Sequence, residues 1–220
     1  VPAKRFERPM LGYLSREEML AVIGAPDGTW FSQRDHVLLL LLYNTGARVS
    51  EITGVKVGEV VLDDGAACVH LHGKGRKQRS VPLWRSTVRA IRAWLRRNPQ
   101  FDSDSPLLPN RDGHSMSRWN VMQRLDHAVQ AAAESCPDLA TRHISPHVIR
   151  HTTAMHLLQA GVDISVITLW LGHESPATTH QYVEADLAMK ERALARLQEP
   201  ETKLRRYRAP DSLIDFLRML

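Results

Sequence analysis

The chain has 220 residues, of which 43% are hydrophobic, and it carries a net charge of +5 at pH 7. This length is enough for one substantial core, and the positive charge favours an acidic partner such as nucleic acid, although a basic protein without one is the plain alternative. Its two cysteines are too few for a disulfide framework or a thiolate metal site, and its longest aliphatic run, Val37 to Tyr43, is too short to span a bilayer. We therefore expect a soluble protein of a reducing, cytoplasmic compartment.

Two core-building helices are predicted in the first part of the chain. The spacing of Ser15 and Glu18 is that of a capping box, which predicts a short helix ending before Gly24. A second helix is predicted from about Gln33 to Tyr43, with Ser32 as its N-cap. Neither helix carries a pattern that indicates chemistry.

The segment T-G-A-R-V-S-E follows the second helix. Thr45 and Gly46 interrupt the helical pattern, so Arg48 is expected at a break in regular structure. Taken alone, Arg48 is explained by an ion pair with Glu51, three residues later.

From Val60 to Leu83 the pattern changes from helical to strand-like. The segments A-C-V-H-L and R-S-V-P-L alternate in polarity, and the glycines of G-K-G-R-K between them predict a β-hairpin with Lys74 near its tip. This glycine pattern is neither a phosphate-binding loop nor a dinucleotide fingerprint, so a solvated lysine is its ordinary interpretation.

The region from Lys74 to Arg97 holds nine lysines and arginines and no acidic residue. A helix is predicted in it, with Val88, Ile91, Trp94 and Leu95 on the buried side and arginines at helical spacing on the other. Because a merely solvated face usually mixes charges, we interpret this stripe as a contact surface for a phosphate backbone. The predicted backbone contacts are Arg76, Lys77, Arg79, Arg85, Arg89, Arg92 and Arg96.

A Pro-, Asp- and Ser-rich loop is predicted from Asn98 to Gly113. The next segment, from Ser117 to about Ser135, is periodic with small residues and predicts a packing helix with Trp119 and Leu125 turned inward. We assign this helix no function.

The next helix is marked by a serine cap followed by proline at Ser145 and by a stop at Gly161. His147, Arg150 and His151 are spaced so that they share a face at its first turn. The N-terminus of a helix also presents unpaired N–H groups and a positive dipole, which predicts an anion site.

Two further helices follow, and each brings one more polar side chain. The first begins near Asp163 and ends at Gly172, which places His173 just beyond its end. The second begins at Ser175 and carries Tyr182 two turns later. Two histidines, an arginine and a tyrosine are therefore expected to meet around one anion.

Each of these residues also has an ordinary explanation. His147 and His151 have the spacing of two zinc ligands, but the glutamate of the HExxH pattern is missing and Arg150 would repel a cation. Tyr182 alone would be a half-buried aromatic, and His173 alone a residue that satisfies helix-end carbonyls.

The combination is more specific than its parts. In this order and spacing, T-G-A-R-V-S-E, the lysine-tipped hairpin, H-V-I-R-H-T, L-G-H-E-S and the final tyrosine resemble the tyrosine recombinases, also called the phage integrase family, from about Leu14 to Leu197. The resemblance implies an α+β, predominantly helical catalytic domain with a small antiparallel sheet. It also implies a site-specific recombinase or integrase that cleaves and rejoins DNA through a 3′-phosphotyrosyl intermediate, with no metal, ATP or other cofactor.

The resemblance further implies a role for each matching residue. The implied catalytic residues are Arg48, Lys74, His147, Arg150, His173 and Tyr182, and the supporting residues are Glu51 and His151. The two arginines would clamp the scissile phosphate with their guanidinium forks, and the lysine would protonate the departing 5′-oxygen. The first histidine would assist proton transfer, the second would hydrogen-bond the phosphate, and the tyrosine would attack phosphorus.

Three parts of the chain are expected. Residues 1–13 are typical of a linker from an N-terminal DNA-clamping domain, residues 14–198 form the catalytic domain, and residues 199–220 form a charged connector and a terminal helix. The resemblance implies double-stranded DNA as partner and a homo-tetramer on paired sites, with the helix Asp211–Leu220 docking on a neighbouring protomer. We expect this chain alone to be monomeric and the protein to be bacterial or phage-encoded, acting at the nucleoid.

Three alternatives stay open at this point. A type IB topoisomerase would use the same chemistry without exchanging strands between partners. A non-catalytic DNA-binding regulator would use the basic helices for readout alone. A metal-dependent nuclease would lose its activity with a chelator.

Overall fold

The computed structural model describes residues 12–26, 29–63, 66–73 and 78–172. Within these residues the chain is mostly helical with one small antiparallel sheet, as predicted. The helices are α1 Arg16–Gly24, α2 Trp30–Thr45, α3 Val49–Thr53, α4 Arg85–Arg97, α5 Arg118–Ala132, α6 Pro146–Gln159 and α7 Ile164–Leu171. The strands are β1 Val60–Val61, β2 Cys68–His72 and β3 Gln78–Pro82, and two short 3₁₀ helices are Val57–Glu59 and Pro137–Thr141. In this part of the chain, no helix combines the length and the apolar character that crossing a membrane requires.

Helix α2 is the centre of the core and packs against α1, α4 and α6. Its run of leucines is inaccessible to solvent, which accounts for the aliphatic sequence Val37 to Tyr43. The helix begins at Trp30, three residues earlier than predicted, because Thr29 and not Ser32 is the N-cap. The earlier start lets Trp30 pack on Trp94 of α4, at 4.9 Å between ring centroids.

The predicted hairpin is present, and β1 extends it to three strands in the order β1-β2-β3. The pairing of His72 with Gln78 fixes the register, so residues 73–77 form the connection. Val69, Leu71 and Val81 are buried and join the sheet to the helical core. Lys74, Arg76 and Lys77 lie outside the described residues.

Helix α4 buries Val88, Ile91 and Trp94, as its periodicity predicted. Helix α5 buries Leu125, but the prediction that Trp119 faces inward is wrong, because its side chain is 67% exposed. The helix turns by about 100° per residue, so Trp119 lies about 200° around the axis from the buried Val121. The small residues later in α5, and not its tryptophan, define the face that packs on the core.

The ends of α6 and α7 lie where the capping and stop residues in the sequence predicted them. Ser145 caps α6 by accepting a hydrogen bond from the amide of Val148, and Asp163 caps α7. Helix α7 ends at Gly172, which adopts a left-handed conformation with φ of 65°. The predicted helices and the connector after residue 172 lie outside the described residues, as do Tyr182 and His173.

Candidate active site

One cleft, with a volume of about 270 Å³, collects four basic side chains from three helix beginnings. Arg48 precedes α3, Arg118 begins α5, and His147 and Arg150 lie in the first turns of α6. Among the described residues that line it, none is acidic. The arrangement is therefore suited to bind an anion, and the N-terminus of α6 adds the positive end of a helix dipole.

Arg150 is the most rigidly held of these side chains and is only 7% exposed. Its Nη1 donates to the carbonyl oxygen of Gly46 at 2.6 Å, and its Nη2 donates to that of Leu171 at 2.9 Å. These carbonyls belong to the C-terminal ends of α2 and α7, where a cation is favourable. This contact favours glycine, because Gly46 has a φ of 57° and a Cβ there would lie 2.5 Å from Leu171 Cδ2.

Arg48 is held more loosely and reaches the open side of the cleft. Its side chain is 42% exposed, and its Nη1 lies 3.2 Å from Oε1 of Glu51, so the ion pair named as the ordinary explanation of Arg48 is present. Its backbone amide donates to Oε2 of the same carboxylate at 2.7 Å, which closes the first turn of α3. The same Nη1 lies 3.5 Å from the carbonyl oxygen of Gly172. Towards the described residues, the side chain donates through Nη1 alone, so its other nitrogens are available for a ligand in the cleft.

Glu51 lies beneath Arg48 and is almost completely buried, at 3% exposure. Burial raises the pKa of its carboxyl, but hydrogen bonds from Arg79 and from the Arg48 amide, together with both positive charges, outweigh burial and lower it. The carboxylate is therefore ionised at neutral pH and keeps a negative charge under the cleft.

Arg79 contradicts the expectation that it contacts a DNA backbone. Its side chain is only 14% exposed, and both of its terminal nitrogens donate to Glu51, at 2.9 and 2.8 Å. The alternation of β3 turns it towards the core side, opposite to the exposed Gln78 and Ser80. Charge and spacing alone did not distinguish this inward position from a surface one.

His147 is partly exposed at the first turn of α6, and its environment disfavours the charged form. Partial burial lowers the pKa of its imidazole, and the positive charges of Arg118, Arg150 and Arg48 lower it further. The ring is therefore mainly neutral at pH 7 and can accept a proton or a hydrogen bond.

Arg118 is the cleft residue that sequence reasoning missed. It is the first residue of α5, where a positive charge opposes the helix dipole. A basic side chain in the first turn of a helix breaks a local rule, and such breaks concentrate at functional sites. This signal is not specific, because α1 and α4 also begin with an arginine, at Arg16 and Arg85.

The family model described as "Phage integrase family" matches residues 13–189. The chain belongs to the phage integrase family. A putative integrase/recombinase y4rC of Sinorhizobium fredii is 44% identical over 223 residues, which cover all of this chain and 66% of that relative. A tyrosine recombinase XerC of Neisseria meningitidis is 42% identical over 153 residues, covering 70% of this chain and 48% of the relative. The chain thus spans from about half to about two thirds of the length of these relatives.

A solved structure shows the same fold. It is a XerH site-specific recombinase bound to a palindromic difH substrate in a post-cleavage complex, and it superposes with a TM-score of 0.72. At 22% identity the match covers 87% of this chain and 54% of that one. The expected tyrosine recombinase family and its catalytic-domain fold are both confirmed.

The structure describes one of the remaining predicted site residues of this integrase-family domain and not the other three. His151 is not among the residues that line the cleft, and its ring lies 6.3 Å from that of Tyr13 in an edge arrangement. Its supporting role stays a prediction. Lys74, His173 and Tyr182 lie outside the described residues. In the part of the chain that the structure describes, no three His, Cys, Asp or Glu side chains are grouped to hold a metal ion.

The arginines of α4 lie apart from the candidate active site. Arg85, Arg89 and Arg92 line a second cleft, of about 670 Å³, between α4 and the sheet. Arg85, Arg89 and Arg96 are exposed, while Arg92 is half-buried and donates to the carbonyl oxygen of Leu62. The predicted stripe is thus present on the surface, with Arg92 partly engaged by the fold.

Proposed function

We propose that this chain is the catalytic part of a site-specific DNA recombinase that cleaves and rejoins strands through a 3′-phosphotyrosyl intermediate. The observation that carries the proposal is that Arg48, His147 and Arg150, from distant parts of the chain, line one cleft. Membership of the phage integrase family supports the same chemistry. The XerH relative of known structure is described as bound to its DNA substrate after cleavage.

The cleft residues suit the charge that develops during phosphoryl transfer. Arg48 offers an exposed guanidinium fork to the non-bridging oxygens, and Arg150 contributes a fixed positive charge from below. Each such donor is typically worth on the order of 10²–10³ in rate, because it stabilises the pentavalent state. The neutral imidazole of His147 is suited to assist proton movement.

The proposed reaction conserves its bond energy. The phenolic oxygen of Tyr182 attacks phosphorus and passes its proton to the neutral imidazole of His147, while the bond from phosphorus to the 5′-oxygen breaks. Lys74 supplies the proton that the departing 5′-oxygen takes up, and His173 hydrogen-bonds the phosphate. A 5′-hydroxyl from a second strand then attacks the phosphotyrosyl phosphorus, and the bond to the tyrosine oxygen breaks. This step restores the phosphodiester and releases Tyr182, whose phenolic oxygen takes up a proton again. No ATP is required, because the link stores the energy.

The partners proposed for this chemistry are duplex DNA and further copies of the chain. The exposed arginines of α4 are proposed to contact the phosphate backbone, with Arg76 and Lys77 on the hairpin connection. On paired sites we propose a tetramer in which the helix Asp211–Leu220 docks on a neighbouring protomer, whereas the chain alone is monomeric. The site of action would be the bacterial nucleoid.

A covalent-capture experiment tests this function. The chain is incubated with a pool of nicked duplexes whose bases around the nick are randomised, so that cleavage releases a short strand and traps the adduct. The expected result is a protease-sensitive DNA–protein species on a denaturing gel, formed equally with and without chelator and absent for Tyr182→Phe. If no such species forms at any protein concentration, or if Tyr182→Phe forms it as well, the proposal fails.

A further inference from the structure

Arg79 makes three hydrogen bonds to two separate segments of the fold. Its Nη1 and Nη2 donate to the two carboxylate oxygens of Glu51, and its Nε donates to the carbonyl oxygen of Trp170 at 3.0 Å. Glu51 belongs to α3, Trp170 to the last turn of α7, and Arg79 itself to β3. One guanidinium therefore joins a strand and two helices.

The turn at Gly172 is shaped around the same guanidinium. A Cβ on Gly172 would lie 2.8 Å from Nη1 and 3.1 Å from Cζ of Arg79, so only glycine leaves room for it. The positive φ of Gly172, 65°, favours glycine for a second reason. On the other side of this turn, Nη1 of Arg48 lies 3.5 Å from the Gly172 carbonyl oxygen. Arg79 and Arg48 thus share both Glu51 and the Gly172 turn.

Neutralising Glu51 does not by itself require an arginine. A lysine on β3 could supply the positive charge. Its ammonium group, however, lacks the planar fork that donates to both carboxylate oxygens in parallel and to a third group in the same plane. The planar fork of Arg79 fixes distances and angles between its three partners. A buried ion pair is also a weak source of stability, which favours a role in geometry.

We propose that Arg79 is a positioning residue for strand cleavage, because its guanidinium sets β3, the Arg48–Glu51 turn and the end of α7 in one arrangement. The inference rests on the proposed function, since its consequence is the placement of Arg48 against a phosphate. In sequence, β3 follows the connection that carries Lys74, and Gly172 precedes His173. A displacement of about 1 Å among such parts can cost about a hundredfold in rate.

The test uses Arg79→Lys, with Arg111→Lys, at an exposed position in the loop before α5, as the matched control. The first measurement is amide hydrogen exchange on the chain without DNA. We expect about tenfold faster exchange at Arg48 and Gly172 in Arg79→Lys than in the control, with α1 and α5 unchanged. Uniformly faster exchange would show that Arg79 contributes stability alone, and no change at Gly172 would show that it does not hold this turn. Either result would overturn the proposal.

The second measurement separates binding from cleavage. Arg79→Lys is expected to bind duplex DNA within about threefold of the control but to form the covalent adduct about a hundredfold more slowly. An adduct rate equal to that of the control would overturn the positioning role. If the unaltered chain forms no adduct, the proposed function fails, while the exchange result still decides whether Arg79 fixes this arrangement.

A second variant covers the case in which Arg79→Lys does not fold. Gly172→Ala places a methyl group where the guanidinium lies, and we expect the same local increase in exchange at Arg48. Where both variants fold, the double variant should form the adduct no more slowly than the slower of the two single variants. The two changes act through one contact, so their effects should not multiply. Independent, multiplying losses would contradict this shared contact.

Discussion

Replacing Arg48 and Arg150 of the cleft by lysine, one at a time, should separate the two roles that the fold gives them. Arg150 is buried and connects the carbonyl oxygens of Gly46 and Leu171, at 2.6 and 2.9 Å. Arg48 has a side chain that is 42% exposed and makes longer side-chain contacts, 3.2 Å to Glu51 and 3.5 Å to Gly172. Both changes keep the positive charge, but neither lysine can reproduce a guanidinium fork.

The expected costs follow from these contacts. A hydrogen bond to a charged donor contributes about 1.5–3 kcal/mol, and a single lysine ammonium is not expected to hold both carbonyls, so Arg150→Lys should lose roughly one such bond. In a domain of this size, that loss lowers the melting temperature by about 3–12 °C. The ion pair of Arg48 is partly screened by solvent, so Arg48→Lys should cost less than about 1 kcal/mol.

Thermal unfolding and covalent capture, applied to both variants, measure their stability and their rate of adduct formation separately. We expect both to form the DNA adduct about 10²–10³ times more slowly, because Arg48→Lys removes the exposed guanidinium fork and Arg150→Lys displaces the fixed positive charge beneath the cleft. Only Arg150→Lys should also show the lower melting temperature. An unchanged melting temperature for Arg150→Lys, or an equal decrease for Arg48→Lys, would refute the distinction between a buried and an exposed clamp.

Three other outcomes are expected. The pKa of His147, followed by NMR, should lie below the ordinary histidine value. It should rise in Arg118→Ala, because a nearby positive charge no longer opposes protonation. An unchanged pKa would mean that the charge of Arg118 does not affect this imidazole. Because the folded pKa of Glu51 is lower than its unfolded value of about 4.5, its contribution to stability is present above that pH and lost as the pH falls through the folded pKa. In urea unfolding, Glu51→Gln should therefore have a lower free energy of unfolding than the unaltered chain, and this difference should become smaller in acid. A difference that stays constant with pH would be inconsistent with the ionised pair. Arg89→Gln should reduce the slope of log affinity for DNA against log salt by about 1, and an unaltered slope would remove this residue from the DNA surface.

Local signals predicted most helix ends correctly. The capping box at Ser15, the serine and proline that begin α6, and the glycine that ends α7 each satisfy backbone groups within a few residues. Such interactions depend on neighbours in the sequence, so they can be read without the fold. The start of α2 was misplaced because Thr29 and Ser32 are both good caps, and only packing of Trp30 on α4 selects the earlier one.

The positions of side chains in the interior of the site could not be predicted from the sequence, because tertiary contacts determine them. The sequence marks Arg79 as one cation in a basic region, and only the approach of β3 to α3 and α7 makes it a partner of Glu51 and Trp170. Likewise, Trp119 looked like a core residue because of its type, whereas the phase of α5 leaves it 67% exposed. Hydrophobicity and charge predict what a side chain can do, but the helix phase and strand pairing decide where it lies.

The central claim is that the cleft of Arg48, His147 and Arg150 holds a phosphate attacked by Tyr182. Mass spectrometry of the protease-digested covalent species tests it most directly. We predict a single peptide in which Tyr182 carries a nucleotide through its 3′-phosphate, with a free 5′-hydroxyl on the released strand. Attachment to another residue, or a link through a 5′-phosphate, would contradict the claim.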